Sequence, residues 1–205
     1  MDRFRGLICV VSTAAALFLA PAATSAAEDP AEPADKADSA RLPAVAPPSV
    51  EDLLDKLSKS ADKEEAGTLE REIVSAWNHS GSDTVDLLLE RAGVAMQEKN
   101  FGLALQYLDT IVGLKPDFAE GWNMRATVYY LLDEYELSLA DIQHVLALQP
   151  RHFGALSGLG MIFRELDEPE KALEAFREVL KVHPYFGKAR ESAEKLEKQV
   201  EGQDI

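Results

Sequence analysis

Cysteine is almost absent: Cys9 is the only one in 205 residues. It falls in an N-terminal segment read below as removable, so the rest of the chain is expected to lack disulfides, thiol nucleophiles and thiolate metal ligands. The residues before it, Gly6, Leu7 and Ile8, do not resemble the small-residue pattern of a lipid-modified cysteine. Positive charge is scarce too: 21 Lys and Arg stand against 36 Asp and Glu, a formal net charge of −15. Phosphate backbones and anionic headgroups repel such a chain, which argues against nucleic acid and against direct membrane-surface binding. Period-two alternation is missing throughout, so strands are not expected. Apolar residues nevertheless make up 46%, enough for a core.

The start of the chain has a separate logic. MDRFRG carries two arginines, LICVVSTAAALFLAP is an apolar run, and ATSAA supplies small residues before EDP. This three-part layout is that of a secretory signal peptide over residues 1–27, cleaved after Ala26 or Ala27. The alternative is a retained signal anchor, although the run falls short of the roughly 20 residues that span a bilayer. Removing Asp2, Arg3 and Arg5 leaves a net charge of −16. Residues 28–48 are Ala, Pro, Glu and Asp with almost no bulky apolar side chain. They bury too little to offset their ordering entropy and read as a disordered linker.

From Ser49 onward the pattern is helical. Ser49 caps VEDLLDKLSKS with Asp52 three residues on, a capping box. A second helix over about 61–78 places Leu69, Ile73 and Trp77 on one face. These form an N-terminal pair over 49–80. Beyond it the chain repeats. Pro116, Pro150 and Pro184 are spaced by 34, and other rows keep the same step. Ala92, Ala126 and Gly160 are small, as are Ala104, Ser138 and Ala172. Leu105, Leu139 and Leu173 are identical, and Ile111, Val145 and Val179 are β-branched. Each unit reads as two helices of about fourteen residues, with small rows where two axes cross closely. The turn pairs Asp133–Glu134 and Asp167–Glu168 read as helix N-terminal charges and caps. Helix pairs at this period stack into a right-handed superhelix with one concave face.

The period, small rows and terminal proline resemble the tetratricopeptide repeat, whose pattern is W-x2-L-G-x2-Y followed by Ala, Phe and Pro. Trp122, Tyr129 and Pro150 stand at its landmarks in the middle unit. Gly160, Ala172, Phe176 and Pro184 do so in the last, and Leu88, Ala92, Ala104, Leu108 and Pro116 form a looser first unit. Units are expected at 85–118, 119–152 and 153–184. A solvating capping helix over 185–201 carries Phe186, Ala189, Ala193, Leu196 and Val200 on one stripe. The pair at 49–80 is a cap or a degenerate fourth unit. Arg91 and Arg125 occupy the family's usual leucine position, which implies a less buried face with outward-snorkelling stems. The expected fold class is therefore all-α, a right-handed α-solenoid.

The residues that suggest catalysis or metal binding lack the spacing such chemistry needs. His79, His144, His152 and His183 fall on turns and outer faces with no pair at i, i+4, so no metal site is expected. Ser157 in GALSGLG lacks a nucleophile elbow's spacing and its preceding strand. No cofactor and no enzymatic activity are expected. The resemblance implies instead that the second, fifth, ninth, twelfth and thirteenth positions of each first helix line a concave groove. Those positions are Asp86, Leu89, Gly93, Met96 and Gln97, then Glu120, Asn123, Thr127, Tyr130 and Leu131, then Gly154, Ser157, Met161, Arg164 and Glu165. The candidate groove set is Asp86, Leu89, Met96, Gln97, Glu120, Asn123, Thr127, Tyr130, Ser157, Met161 and Arg164. Some family members clamp chaperone carboxylates with lysine and asparagine at the fifth and ninth positions; here those positions hold Leu89, Asn123 and Ser157, then Gly93, Thr127 and Met161, so the resemblance does not extend to that clamp. The groove mixes small residues, methionine, tyrosine and arginine, and methionine adapts to irregular apolar shapes. The expected function is a non-enzymatic adaptor in the periplasm and cell envelope, binding a peptide or helix of a protein partner. A self-associating scaffold whose groove packs on its own chain or a second copy is the alternative; a small-molecule binder or enzyme is a remoter one.

Overall fold

The computed structural model describes residues 48–203, with side chains through residue 200. The signal segment at 1–27 and the linker up to residue 47 lie outside the described residues. Nine helices run through the described chain: α1 (Val50–Leu57), α2 (Lys63–Trp77), α3 (Asp83–Gln97), α4 (Phe101–Leu114), α5 (Ala119–Leu131), α6 (Tyr135–Leu148), α7 (Phe153–Glu165), α8 (Pro169–Val182) and α9 (Gly187–Gln203). No strand occurs among the described residues. The architecture is an all-α solenoid in which α3–α4, α5–α6 and α7–α8 are successive hairpins.

Local chemistry sets the helix starts. Ser49 Oγ accepts from the Asp52 N–H at 3.2 Å, while the Asp52 carboxylate accepts from the Ser49 N–H at 3.1 Å, closing the capping box. Asp62 accepts from the N–H groups of Glu64 and Glu65, each at 2.9 Å, and so caps α2. Pro169 opens α8, where a missing N–H costs nothing.

The turns within the hairpins carry the repeat in their backbone. Lys99, Asp133 and Asp167 sit at φ of 59°, 61° and 58°, spaced by the same 34 residues. Each ends a first helix in the left-handed region. The next N–H then reaches back to a carbonyl five residues earlier: Asn100 to Ala95 at 2.8 Å, Glu134 to Tyr129 at 2.9 Å and Glu168 to Phe163 at 2.9 Å. The turn acids are thus not the caps expected from the sequence. Asp133 and Asp167 terminate the preceding helices, and Glu134 and Glu168 hold the N-cap positions without a side-chain cap bond.

The small rows bring helices together. Ala92, Ala104 and Ala172 are fully buried, and Ala126 is 2% exposed. Ser138 replaces the alanine of its row because its hydroxyl is satisfied inside the core, donating to the Ala126 carbonyl at 2.7 Å. Gly160 lies directly under the ring of Phe176: a Cβ there would stand 2.9 Å from Cε1 and Cζ. Phe176 is itself 1% exposed, so its ring would have to shift within the packed core to admit a Cβ.

The pair α1–α2 does not stack on α3. Leu54, Leu57, Ile73 and Trp77 share one core with Phe153, Phe176 and Val179, and with Ala189 and Leu196 of α9. The Trp77 ring stacks on His152 with centroids 4.0 Å apart. Glu70 meets His183 Nε2 at 3.2 Å, and the Tyr185 hydroxyl donates to the Ala61 carbonyl at 2.6 Å. Arg151 pairs with Glu51 and Asp55. The pair therefore lies along the turns entering α7 and α9, a position not expected for either a cap or an extra unit at the start of the array. His152 and His183, expected on turns or outer faces, are each 2% exposed beneath it.

Gly160→Ala should destabilise the protein although alanine gains about 1 kcal/mol of helix propensity over glycine. The displaced Phe176 ring costs about 1–3 kcal/mol, as does Ala126→Leu at the equivalent position. Chemical denaturation would measure both, and neutrality at both sites would contradict the repeat packing.

Candidate partner-binding groove

The first helices of the units, α3, α5 and α7, are followed by α9, and hollows open between them. Between α5 and α7 lies a cavity of about 200 Å³. Asn123, Thr127 and Tyr130 line one side, and Gly154, Ser157, Gly158 and Met161 the other, with Phe186 and Lys188 at the α9 end. Its space comes from the small residues. A Cβ on Gly158 would come within 3.3 Å of Ile142 Cδ1, and one on Gly154 within 3.2 Å of His152 Cε1. A hollow of about 490 Å³ lies between α7 and α9, lined among others by Ser157, Met161, Arg164, Lys188, Glu191 and Lys195. Another, of about 370 Å³, is bounded by Asn78, Asp86, Leu89, Glu90, Gly93 and Met124.

The structure thus gathers Asn123, Thr127, Tyr130, Ser157 and Met161 around one cavity, and Arg164 joins the last two at the next. Asp86 and Leu89 belong to the hollow beside α3, where Leu89 is 6% exposed and mainly a core residue. Met96 is half-buried against that core, and Gln97 is exposed at the end of α3. Neither lines these three hollows. Glu120 is turned inward, accepting from Asn123 Nδ2 at 3.1 Å and meeting His152 Nε2 at 3.2 Å. The His152 Nδ1 accepts from the Ala155 N–H at 3.0 Å, so the neutral ring carries its proton on Nε2 and donates to Glu120.

Sequence reasoning missed the contribution of α9. Carrying the 34-residue step once more past Gly154, Ser157 and Met161 lands on Lys188, Glu191 and Lys195, all of which line the hollow against α7. The signal was the period itself, continued into a helix read only as a cap.

Charge changes sign along this surface. Beside α3 stand Asp86 and Glu90. Hydrogen bonds from the Ser80 hydroxyl and N–H, with His79 nearby, hold the Asp86 carboxyl below its usual range despite the opposing effect of burial. Beside α9 stand Arg164, Lys188 and Lys195 with Glu165 and Glu191. Arg164 pairs with Glu165 and Lys195 with Glu191, leaving Lys188 without a carboxylate partner among the described residues. Between these ends, burial and then Glu165 push the Tyr130 phenol up, so it stays a hydrogen-bond donor, reaching Glu165 at 3.4 Å.

Arg125 behaves differently from the outward-snorkelling side chain expected. Its Nε and Nη2 each donate to the Asp141 carboxylate at 2.8 Å, and its Nη1 to Asp109 at 2.8 Å. The guanidinium lies over Trp122 at 4.8 Å and Tyr129 at 5.8 Å. The hydrogen bonds it donates to Asp141 raise its pKa further, and it clamps α4, α5 and α6 together. The Trp122 indole donates to the Pro116 carbonyl at 2.9 Å and lies tilted against His144 with centroids 4.1 Å apart, so this aromatic cluster is structural. Because the Asp141 side chain is only 6% exposed, Asp141→Ala strands a half-buried cation and should cost about 3 kcal/mol in denaturation. Asp109 is 58% exposed, and Asp109→Ala should cost less than about 1 kcal/mol. Equal losses would show that burial does not govern the clamp.

Known proteins share this architecture. A family model described as tetratricopeptide repeat matches residues 154–186. A TPR repeat-containing protein of Rhizobium etli is 38% identical over 153 residues, covering 75% of each chain. The first TPR domain of Spaghetti, solved with an HSP90 peptide, superimposes with a TM-score of 0.56 at 19% identity, over 58% of this chain and 94% of that one. MamA superimposes with a TM-score of 0.53 at 22% identity, over 75% and 81%. Likeness at these identities shows the fold alone, whereas the Rhizobium relative is close enough in sequence and coverage to show kinship. Repeat phase, hairpin turns and this kinship agree: the chain belongs to the tetratricopeptide-repeat proteins, whose helical arrays are protein-interaction scaffolds.

Proposed function

We propose that this chain is an exported adaptor that holds a peptide or helix of a partner protein in its concave groove, in the periplasm and cell envelope of a Gram-negative bacterium. One observation carries the binding reading: a cavity of about 200 Å³, mostly apolar, opens at positions where the repeat leaves side chains free of packing. Glycine and serine keep it open, and Met161 and Tyr130 supply adaptable and aromatic surface. A cavity of this size takes one bulky apolar side chain, with flanking residues running toward α3 and α9. One structural neighbour holds an HSP90 peptide. Leu89, Asn123 and Ser157 stand at the fifth positions here and Gly93, Thr127 and Met161 at the ninth, which favours a ligand read by apolar fit over a clamped carboxylate. Binding on a preformed surface needs no covalent step.

Asn123→Ala combined with Tyr130→Ala should abolish capture of crosslinked partners from a periplasmic extract, with helicity and melting unchanged. Undiminished capture would remove the groove from the function. For export, the intact mass of the protein recovered from periplasm should begin at Ala27 or Glu28; a mass that retains residues 1–26 would leave the signal segment as an anchor.

A further inference from the structure

The repeat compares one surface in three neighbourhoods. Leu87, Arg91 and Val94 on α3 occupy the same unit positions as Gly121, Arg125 and Val128 on α5 and as Ala155, Leu159 and Ile162 on α7. Val128 and Ile162 are fully buried and Ala155 is 1% exposed, yet Leu87 and Val94 are each 49% exposed. The difference is the neighbour. On α5 this face receives α4. Ile111 packs so closely on Gly121 that a Cβ there would come within 2.6 Å of its Cγ2, and Asp109 pairs with Arg125. Among the described residues no helix is stacked on this face of α3, because α1 and α2 are engaged with α7, α8 and α9. Arg91 is exposed and has no carboxylate partner among the described residues.

We infer that this open face of α3 is a second docking surface, distinct from the groove, and that it takes an amphipathic helix of another protein in the way α5 takes α4. The internal repeat specifies the chemistry of that helix. A carboxylate stands where Asp109 stands, to meet Arg91. Two residues on, where α4 has Ile111, the side chain is small, because Leu87 fills the space that Gly121 leaves open. Apolar neighbours cover Val94. An unpaired arginine flanked by two half-exposed aliphatic side chains is the composition of an interface centre. A second copy stacked head to tail does not meet these requirements. Its α8 is already covered by Ala189, Ala193 and Leu196 of α9, and the α8 residue at the Asp109 position is Arg177, which would oppose Arg91 with like charge.

A fluorescein-labelled synthetic peptide with the sequence of residues 100–115 carrying Ile111→Ala is the probe, titrated with the full chain and followed by anisotropy. Saturable binding is expected. Leu87→Glu with Val94→Glu should abolish it, and Arg91→Glu should weaken it by about tenfold or more. A peptide carrying Asp109→Lys should restore binding to the Arg91→Glu variant. The groove variant Asn123→Ala with Tyr130→Ala should bind the probe like the native chain, so failure here and failure of the groove reading are separable. All five substituted residues are at least partly exposed, and unchanged melting curves would confirm an intact array. No binding, or binding indifferent to Arg91→Glu, overturns the proposal. A dimer in sedimentation equilibrium that Leu87→Glu with Val94→Glu dissolves would also overturn it, since a second copy would then cover the face.

Discussion

The ring of Phe176 rests on the backbone of Gly160, with no room for even a methyl group between them. Close approach of this kind at the small rows is what lets the helices form a core at all. A hairpin of two fourteen-residue helices has one apolar face and cannot cover it alone; burial comes only when the next hairpin lies against it. Ala92 and Ala104, Ala126 and Ser138, and Gly160 and Ala172 are successive copies of that constraint. The left-handed residues at 99, 133 and 167 are its counterpart in the backbone, turning each hairpin by the same route. Because the constraint recurs at 34 residues, side chains between the landmark positions are free of it, and the cavity opens among them.

Much of this was legible in the sequence because small residues, β-branched residues and prolines report packing through their spacing alone. The units, the hairpin turns and the capping box at Ser49 follow from short-range chemistry. Long-range partners do not. Nothing near Arg125 in the chain announces that Asp109 and Asp141 lie sixteen residues away on either side in position to bind it. The expected snorkelling followed from reading the arginine against its own helix only. Trp77 showed its amphipathic face but not that His152 and Phe153 would cover it. The groove was partly legible for the same reason: Asn123, Thr127, Tyr130, Ser157 and Met161 converge, whereas Leu89 and Met96 are drawn toward the first unit's core.

The two ends of the array differ physically. At the C-terminal end α9 continues the repeat phase, buries Ala189, Ala193 and Leu196, and places Lys188 and Lys195 beside the groove. A terminal helix usually solvates the last unit, and this one also lines a hollow against α7. The α1–α2 pair strengthens the same end by stacking Trp77 on His152 and by accepting polar contacts at Glu70, Ala61, Glu51 and Asp55 from His183, Tyr185 and Arg151. The tilted and edge-on ring contacts among Phe153, His183 and Phe186 join that pair to the wall of the central cavity. The first unit receives none of this support.

Arg91 and Arg125 make the asymmetry concrete. They are the same residue at the same repeat position, and one is clamped by two carboxylates while the other faces solvent. The difference has two sources: Asp109 of the preceding helix, which has no counterpart packed on α3 among the described residues, and Asp141 of the following helix, where the first unit has Tyr107. An array that needed its first face to be inert would carry polar residues at 87 and 94, as terminal units with a solvated outer face do. Leu87 and Val94 instead keep the apolar character of interior positions, and no carboxylate completes the set at Arg91 among the described residues. The repeat that builds the scaffold thus also gives a physical template for a helix that would extend it.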